Sequence, residues 1–138
     1  MQLTDILKPG MTREEAFTVE SEHSAAHVGS GSARVLATPW MIAFMERTAR
    51  DLLAEMLPDG YSSVGVHVDV HHLAPSPIGS RVRSRVEVTA VQGVKVDFTV
   101  CLWDEQELVG EGTHQRVVIE EERFLRRVAS KLDSRHGE

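Results

Sequence analysis

The sequence of 138 residues contains no asparagine and only one cysteine, Cys101. The lack of asparagine excludes Cys-His-Asn nucleophilic catalysis. One cysteine can form neither an internal disulfide nor a multi-cysteine metal site, so we expect a reducing, cytoplasmic compartment. The motifs G-x-S-x-G, G-x-x-x-x-G-K-S/T and H-E-x-x-H are also missing. Their absence argues against common serine hydrolases, nucleotide-binding loops and zinc proteases.

Long apolar runs and an excess of positive charge are absent as well. No stretch approaches the ~20 apolar residues of a membrane span, and the N-terminal segment MQLTDILKPGM lacks the apolar run of a signal peptide. We therefore expect neither membrane association nor secretion. Fifteen Lys and Arg against 21 Asp and Glu give a formal charge of -6, which argues against nucleic-acid binding. The length fits one domain over residues 1–138.

A long helix is the clearest element in the first half of the chain. Thr38 can cap its free N–H groups and Pro39 suits the first helical position, so we predict a helix from Pro39 to Leu57. The first seven residues of this helix are all apolar, which predicts that its first half is buried. Before it, Ala16–Glu20 is predicted as a short strand and the Gly- and Ser-rich segment Ser21–Arg34 as a loop.

From residue 64 onward apolar and polar residues alternate, which is typical of half-buried strands. His72 shares one face with the valines at positions 64, 66, 68 and 70, and we predict that this face looks toward the core, whereas Gly65 falls on the opposite face. Short connections predict that this strand and three later ones are antiparallel neighbours, followed by a helix. The later elements are predicted at Arg81–Ala90, Val94–Trp103, Glu107–Ile119 and, for the helix, Glu120–Leu132.

These elements predict an α+β architecture in which a curved antiparallel sheet wraps a long central helix. This arrangement covers the apolar face of the sheet and the apolar half of the helix at once. Such a sheet keeps free edges, and a helix that is apolar all round needs more cover than one small sheet provides. We therefore expect a homodimer that forms edge to edge.

Two polar residues lie where the apolar pattern makes burial costly. Glu46 follows the apolar half of the helix and His72 shares the valine face, so both can be drawn into an interior where an unpaired carboxylate is heavily penalised. Structural alternatives exist: Glu46 can turn to solvent beside two arginines, His72 can meet solvent at a strand end, and Thr38 can be a plain helix cap. A β-bulge before Pro75 would also reverse the strand parity.

Convergence of Thr38, Glu46 and His72 would make a site suited to acyl transfer to water. A carboxylate can raise the basicity of an imidazole, activate water or attack an acyl carbon. A hydroxyl at a helix N-terminus offers a donor to a developing oxyanion. This interpretation requires Glu46 and His72 to meet in a dry crevice where a strand crosses the long helix.

Two strand faces carry rows of like residues. His67, Asp69 and His71 are suitable metal ligands, but residues two apart on a strand are about 6.5–7 Å apart, so we favour a solvated face and expect no metal. A row of arginines on the next strand is interpreted as a cross-strand complement to the Asp69 face, with a phosphate site as the alternative. These arginines are Arg81, Arg83 and Arg85. Cys101 faces outward by parity and is expected to be inert.

Three longer motifs occur in order across nearly the whole chain. They are A-T-P-W-M-I-A-F-M-E at Ala37–Glu46, V-G-V-H-V-D-V-H-H-L-A-P-S-P-I-G at Val64–Gly79 and V-G-E-G-T-H-Q-R-V-V-I at Val109–Ile119. Together with K-P-G-M near the start, they resemble the hot-dog-fold thioesterases related to fluoroacetyl-CoA thioesterase. The resemblance implies a helix wrapped by an antiparallel sheet and paired as a dimer, the architecture that the periodicities predict.

The resemblance also implies roles for individual residues. In that family a threonine at the start of the central helix, a glutamate eight residues later and a histidine at the end of the next strand carry hydrolysis. These positions fall on Thr38, Glu46 and His72. Glu46 would be the nucleophile or general base, His72 a proton shuttle and Thr38 a hydrogen-bond donor. Gly65 would lie beside the bound acyl group, and Arg116 would fall in the basic position of the last strand.

One segment departs from the family pattern. The fluoroacetyl-specific enzyme has a phenylalanine-bearing lid before its helix, whereas residues 28–34 (VGSGSAR) are shorter and contain no aromatic. The resemblance therefore favours an acyl-CoA thioesterase for short-chain or aryl acyl groups, with no cofactor beyond the substrate's own coenzyme A. A non-catalytic acyl-CoA binding or sensing dimer is the alternative. A hot-dog hydratase is disfavoured, because the hydratase-like relatives use an asparagine-containing motif.

Overall fold

The computed structural model describes residues 1–136, with side chains through residue 133. Within this part of the chain, five strands and three α-helices account for most residues. The strands are β1 (Thr12–Thr18), β2 (Tyr61–His72), β3 (Arg81–Gln92), β4 (Lys95–Trp103) and β5 (Leu108–Glu120), and the helices are α1 (Ala25–Val28), α2 (Thr38–Met56) and α3 (Glu121–His136). No helix among these residues combines the length and apolarity that crossing a membrane requires.

The five strands form one antiparallel sheet in the order β1-β3-β4-β5-β2. The predicted series of sequence neighbours is wrong at one point, because β2 pairs with β5 at the edge of the sheet instead of with β3. The connection at residues 73–80 runs from this edge to β3, next to the opposite edge of the sheet. Along it, Leu36 N–H donates to Ser76 O at 2.8 Å and Val19 N–H donates to Ser80 O at 2.9 Å. A turn-like composition predicts a change of direction and not how far the chain travels.

Helix α2 packs on the sheet, and its apolar side chains supply much of the core. Phe44 and Met45 are buried, and Phe44 stacks on Phe17 of β1 with ring centroids 4.3 Å apart. The first half of the helix is less covered than predicted, since Pro39 is exposed and Ile42 half-buried in the single chain. The predicted α+β architecture of a long helix against an antiparallel sheet is confirmed.

The start of α2 corrects the prediction for Thr38. The helix begins at Thr38, one residue before Pro39, so the N-cap position is Ala37, which makes no side-chain capping hydrogen bond. Thr38 is therefore not a plain helix cap. Its hydroxyl is directed to another partner, His72.

The segment before α2 is also more regular than predicted. Strand β1 spans Thr12–Thr18, earlier than the predicted strand at Ala16–Glu20, and its residues alternate between exposed and half-buried positions. Glutamate and arginine occupy several of the half-buried positions, which hides the alternation from a reading based on apolar residues alone. The predicted loop at Ser21–Arg34 contains a 3-10 turn at Ser21–His23 and the short helix α1.

A β-bulge at Val66 interrupts the pairing of β2 with β5. Gly65 lies opposite Arg116 and Val68 lies opposite His114, so β2 has one more residue than β5 between these pairs. His114 and Arg116 are two residues apart and share a face of β5, and directly opposite residues project to the same side of a sheet. Gly65 and Val68 therefore face the same side, although they are three residues apart.

The bulge corrects the predicted parity of β2. Gly65 lies on the same side as His72 instead of opposite it, and this side faces α2. Val66 is 52% exposed, so the predicted core-facing valine row is wrong at this position. A bulge before Pro75 is therefore present, but it lies early enough in β2 that residues 68–72 keep their own alternation and His72 stays on the side of Val68 and Val70.

The row of arginines on β3 has a different partner from the one predicted. Because β3 lies between β1 and β4, it cannot face Asp69 of β2. Instead Arg83 pairs with Glu14 of β1 at 3.4 Å and lies over the ring of Trp103 at 5.2 Å. The row therefore takes part in cross-strand charge pairing, as interpreted, but its partner is β1 at one edge of the sheet and not β2 at the other.

A pair of carboxyl groups joins β1 to α2. Glu15 is 19% exposed at its side chain and accepts a hydrogen bond from Arg13 Nε at 3.2 Å. Burial, followed by the neighbouring Asp51 of α2, raises the pKa of Glu15. Although burial opposes it, hydrogen bonding from Glu15 and Arg50 lowers the pKa of Asp51. Glu15 is therefore the member of the pair that holds a proton more tightly.

Glu15→Gln is expected to stabilise the fold at neutral and alkaline pH. Because the folded-state pKa of Glu15 is raised, its favourable contribution is complete below the ordinary Glu value of about 4.3 and is lost as the pH rises through the raised value. Glutamine keeps an acceptor oxygen without the charge. Thermal unfolding should therefore show a higher melting temperature than wild type at about pH 8 and none of this gain at about pH 4. The exposed neighbour Glu14→Gln is the control, and an equal gain at both pH values would contradict the assignment.

Candidate active site

Thr38 and His72 meet at the N-terminus of α2. Strand β2 ends at His72, and its side chain projects toward the helix, where Thr38 Oγ1 lies 2.8 Å from His72 Nδ1. Thr38 makes this contact because its hydroxyl is not used to cap the helix. Two of the three predicted catalytic residues are thus in direct contact across 34 positions of sequence. We call them the Thr38–His72 pair.

The second ring nitrogen of His72, Nε2, makes no hydrogen bond to the described part of the protein. This atom is also buried. Burial lowers the pKa of His72, and a backbone hydrogen bond with Ala74 acts in the opposite direction. The lowered pKa favours the neutral imidazole near pH 7. When Nδ1 donates to Thr38, Nε2 carries an unshared lone pair that can accept a proton.

Glu46 belongs to a second group of polar residues. Its Oε2 lies 3.6 Å from Nη1 of Arg116, and the side chains are 40% and 7% exposed, respectively. Arg116 is stabilised in its buried position by Ser63, whose hydroxyl accepts from Nε at 2.8 Å and whose carbonyl accepts from Nη2 at 3.1 Å. Burial lowers the pKa of Arg116 and Glu46 opposes this, while the guanidinium stays charged.

Gly65 provides the space that the Glu46 carboxylate occupies. A Cβ at this position would lie 2.6 Å from Glu46 Oε2, 3.1 Å from His114 Cε1 and 3.5 Å from Arg116 Nη1. The missing side chain therefore admits the carboxylate to the face of β2. We call Glu46, Ser63, Gly65, His114 and Arg116 the Glu46 cluster.

His114 and Ser63 are members of this cluster that the sequence did not predict. His114 is 2% exposed, its Nδ1 lies 2.9 Å from the carbonyl of His67, and its Nε2 lies 3.2 Å from Arg116 Nη1. A signal for His114 was available, since it precedes Arg116 by two residues on an alternating strand. No sequence signal marked Ser63, because the bulge changes which residues of β2 share a face, and simple alternation places Ser63 opposite the later valines.

The Thr38–His72 pair and the Glu46 cluster stay apart within one chain. Eight residues of α-helix rise about 12 Å, and neither oxygen of Glu46 is within hydrogen-bond or ion-pair distance of His72. Each group borders its own cavity, of about 370 Å³ beside Thr38 and His72 and about 260 Å³ beside Glu46 and Arg116. A larger cavity of about 500 Å³, lined by Tyr61 among others, touches neither group.

Known proteins match the chain across both groups. The family described as fluoroacetyl-CoA-specific thioesterase matches residues 19–122. The fluoroacetyl-CoA thioesterase of Streptantibioticus cattleyicolor is 31% identical over 135 residues, covering 91% of this chain and 97% of that protein. The chain belongs to this thioesterase family.

Solved structures agree with this assignment. A hot-dog-like protein from Thermanaerovibrio acidaminovorans has a TM-score of 0.88 at 27% identity, covering 95% of this chain and 97% of its own. A variant of the fluoroacetyl-CoA thioesterase FlK in complex with acetyl-CoA has a TM-score of 0.86 at 28% identity, covering 91% and 98%. The hot-dog fold expected from the resemblance is therefore confirmed for this member of the thioesterase family.

The side chains of the remaining candidate residues belong to neither the Thr38–His72 pair nor the Glu46 cluster. His67, Asp69 and His71 are exposed on the outer face of β2, and among residues 1–133 no three His, Cys, Asp or Glu side chains are arranged to hold a metal ion. Cys101 is half-buried, and burial together with Glu111 raises the pKa of its thiol, which disfavours the reactive thiolate.

Gly65→Ala is expected to reduce thioester hydrolysis without unfolding the protein. Gly65 is not among the glycines with positive φ, so alanine adds no backbone strain and acts by pushing the Glu46 carboxylate away. A displacement of this kind should lower kcat by about ten- to a hundredfold, with little change in melting temperature. Gly31→Ala is the matched control, because its Cβ would meet only Ala25 Cβ at 3.8 Å. Wild-type kcat in Gly65→Ala would show that this close approach is not needed.

Proposed function

We propose that this protein hydrolyses a short-chain or aryl acyl-CoA to the free acid and coenzyme A. The observation that carries the proposal is the 2.8 Å contact of Thr38 with His72 Nδ1, with the other ring nitrogen, Nε2, buried and without a hydrogen-bond partner in the part of the chain that the structure describes. Membership of the thioesterase family supports the reaction type. The proposed reaction uses no metal and no cofactor beyond the coenzyme A of the substrate, since an acid, an imidazole and a hydroxyl supply the groups that hydrolysis requires.

Two routes fit the proposed residues Thr38, Glu46 and His72. In one, Glu46 accepts a proton from water, whose oxygen attacks the thioester carbonyl. In the other, the Glu46 carboxylate attacks the carbonyl itself, and water then hydrolyses the anhydride. In both, the C–S bond breaks and the thiolate leaves. His72 accepts at Nε2 the proton that water releases, directly or by way of Glu46, and then delivers that proton to the thiolate, while the Thr38 hydroxyl orients the imidazole or the carbonyl oxygen.

A local cluster of arginines supports the proposal that the substrate is anionic, although the protein as a whole is acidic. The cavity beside Glu46 is bordered by Arg47, Arg50 and Arg116, although the whole chain carries a formal charge of -6. Arg47 lies over the Trp40 ring at 5.4 Å, which holds its charge at the rim of the cavity. We assign this rim to the phosphates of coenzyme A. A cytoplasmic location is part of the proposal, supported by the free thiol of Cys101.

Glu46→Ala and His72→Ala are each expected to lower kcat by at least about a hundredfold, the scale of a lost acid–base group. Release of free thiol from acetyl-, phenylacetyl-, benzoyl- and medium-chain acyl-CoA measures the activity. His71→Ala is the matched control, since His71 is exposed next to His72 and faces away from α2. Binding of these esters without turnover by the wild type would refute hydrolysis and favour the acyl-CoA sensor.

We also propose a homodimer that forms through the free edge of β2. This strand of 12 residues lies at the edge of the sheet, where its outward N–H and C=O groups are open to pairing. In a twofold dimer, a second β2 runs antiparallel to the first. The His72 end of one copy then approaches the Gly65 end of the other. Glu46 of one copy would meet the Thr38–His72 pair of the second, which makes two composite sites per dimer.

An equal mixture of the Glu46→Ala and His72→Ala proteins tests the composite site. After subunit exchange about half of the dimers are mixed, and each mixed dimer has one intact site, so activity should recover to about a quarter of the wild-type value. A site built within one chain allows no recovery. Sedimentation should give twice the chain mass of 15.3 kDa, and the mass of one chain at micromolar concentration would defeat the dimer.

A further inference from the structure

His114 is buried between two partners of opposite hydrogen-bonding character. The His67 carbonyl, 2.9 Å from Nδ1, can only accept a hydrogen bond, so Nδ1 must carry a hydrogen. Arg116 Nη1, 3.2 Å from Nε2, can only donate, so Nε2 must present its lone pair. The two contacts together select one neutral tautomer of the imidazole.

Arg116 connects the ring of His114 to the carboxylate of Glu46. Its Nε and Nη2 are directed to Ser63, and its Nη1 lies between His114 Nε2 and Glu46 Oε2. The guanidinium is planar, so the two contacts to Ser63 and the one to His114 fix the plane and the direction of Nη1. The position of the Glu46 carboxylate over Gly65 therefore depends on the ring of His114, which Glu46 does not contact by a hydrogen bond.

We propose that His114 is a positioning residue for Glu46, and that only its neutral Nδ1–H form orients Arg116 so that the carboxylate is held at Gly65. This inference rests on the proposed function, because it names what aligns the acid of that site. His114 does not touch the reacting atoms and takes no proton during turnover.

The arrangement has a consequence at low pH. A proton on Nε2 would place two donors and two positive charges 3.2 Å apart, so Arg116 would have to move and Glu46 would lose its alignment. The charged or titratable groups around the ring are Arg116 on β5, His67 on β2 and Glu46 on α2, while β4 contributes the apolar ring of Phe98 at 6.2 Å. Burial lowers the pKa of His114, the His67 carbonyl opposes this and Arg116 reinforces it. The aligned form is therefore complete above the ordinary His value of about 6.5 and is lost only at lower pH.

Two substitutions at His114 separate positioning from simple packing. His114→Leu fills the space without an acceptor, and we expect kcat to fall about ten- to a hundredfold with KM little changed. His114→Gln supplies an amide oxygen for Arg116 and an amide N–H for the His67 carbonyl, so it should recover most of kcat. Because glutamine does not titrate, the decrease of kcat at low pH that protonation of His114 causes should disappear in this variant. His71→Leu, an exposed position on β2, is the matched control.

Nitrogen-15 NMR of the histidine rings gives a readout that does not depend on turnover. In the wild type, the His114 ring is expected to be the Nδ1–H tautomer and to titrate below the ordinary range, and the Arg116 Nε–H signal is expected to be sharp and slow to exchange. In His114→Leu that arginine signal should broaden or exchange faster, and in His114→Gln it should persist.

These measurements test the positioning role of His114 separately from the hydrolysis of acyl-CoA. An Nε2–H tautomer in the wild type, an unchanged arginine signal in His114→Leu, or equal kcat in wild type and His114→Leu would each overturn the role of His114. A His114→Gln variant as slow as His114→Leu would do the same. A wild type that turns over no acyl-CoA would refute the proposed function, and the tautomer and arginine signals would still decide whether His114 orients Arg116.

Discussion

The extra residue Val66 in β2 turns Gly65 and His72 toward the same helix. Without it, strict alternation would place these two positions on opposite faces of the strand, seven residues apart. The bulge thus lets one strand contact both ends of the first half of α2, near Thr38 and near Glu46. At one end it opens the space that Glu46 fills, and at the other it brings an imidazole to Thr38. Bulges commonly redirect side chains near active sites, and here the redirected residue is a glycine.

A buried guanidinium is the second constraint on this region. Arg116 is 7% exposed at its side chain, and its position is tolerated because Ser63, His114 and Glu46 meet its donors. Removing any one partner leaves a buried charge or donor uncompensated, which is far more costly than the net gain from a satisfied one. Networks of this kind hold their members in narrow geometries. That rigidity is what a carboxylate needs if it is to meet a thioester in a defined orientation.

Two features of the single chain fit the proposed dimer. These are the separation of the Thr38–His72 pair from the Glu46 cluster along α2, and the free edge of β2. Thr38 and Glu46 lie about two helical turns apart, a distance that side chains within one chain do not bridge here. In the proposed dimer, an antiparallel copy of β2 would bring the second polar group of another chain and would pair with the free edge. It would cover unpaired backbone at the edge and the incompletely buried positions Pro39 and Ile42, provided that the two helices approach one another.

The sequence by itself determined the long helix, the four later strands and the α+β class, because periodicity and helix-start residues act over a few neighbouring positions. It also marked Glu46 and His72 as polar groups in apolar surroundings, and the family motifs added Gly65 and Arg116. Only the tertiary structure decided that β2 pairs with β5, that Thr38 contacts His72 instead of capping its helix, and that His114 lies between the His67 carbonyl and Arg116. These features depend on strand register and on contacts between distant positions, such as Thr38 with His72, 34 positions apart, and His67 with His114, 47 positions apart, which no local pattern encodes.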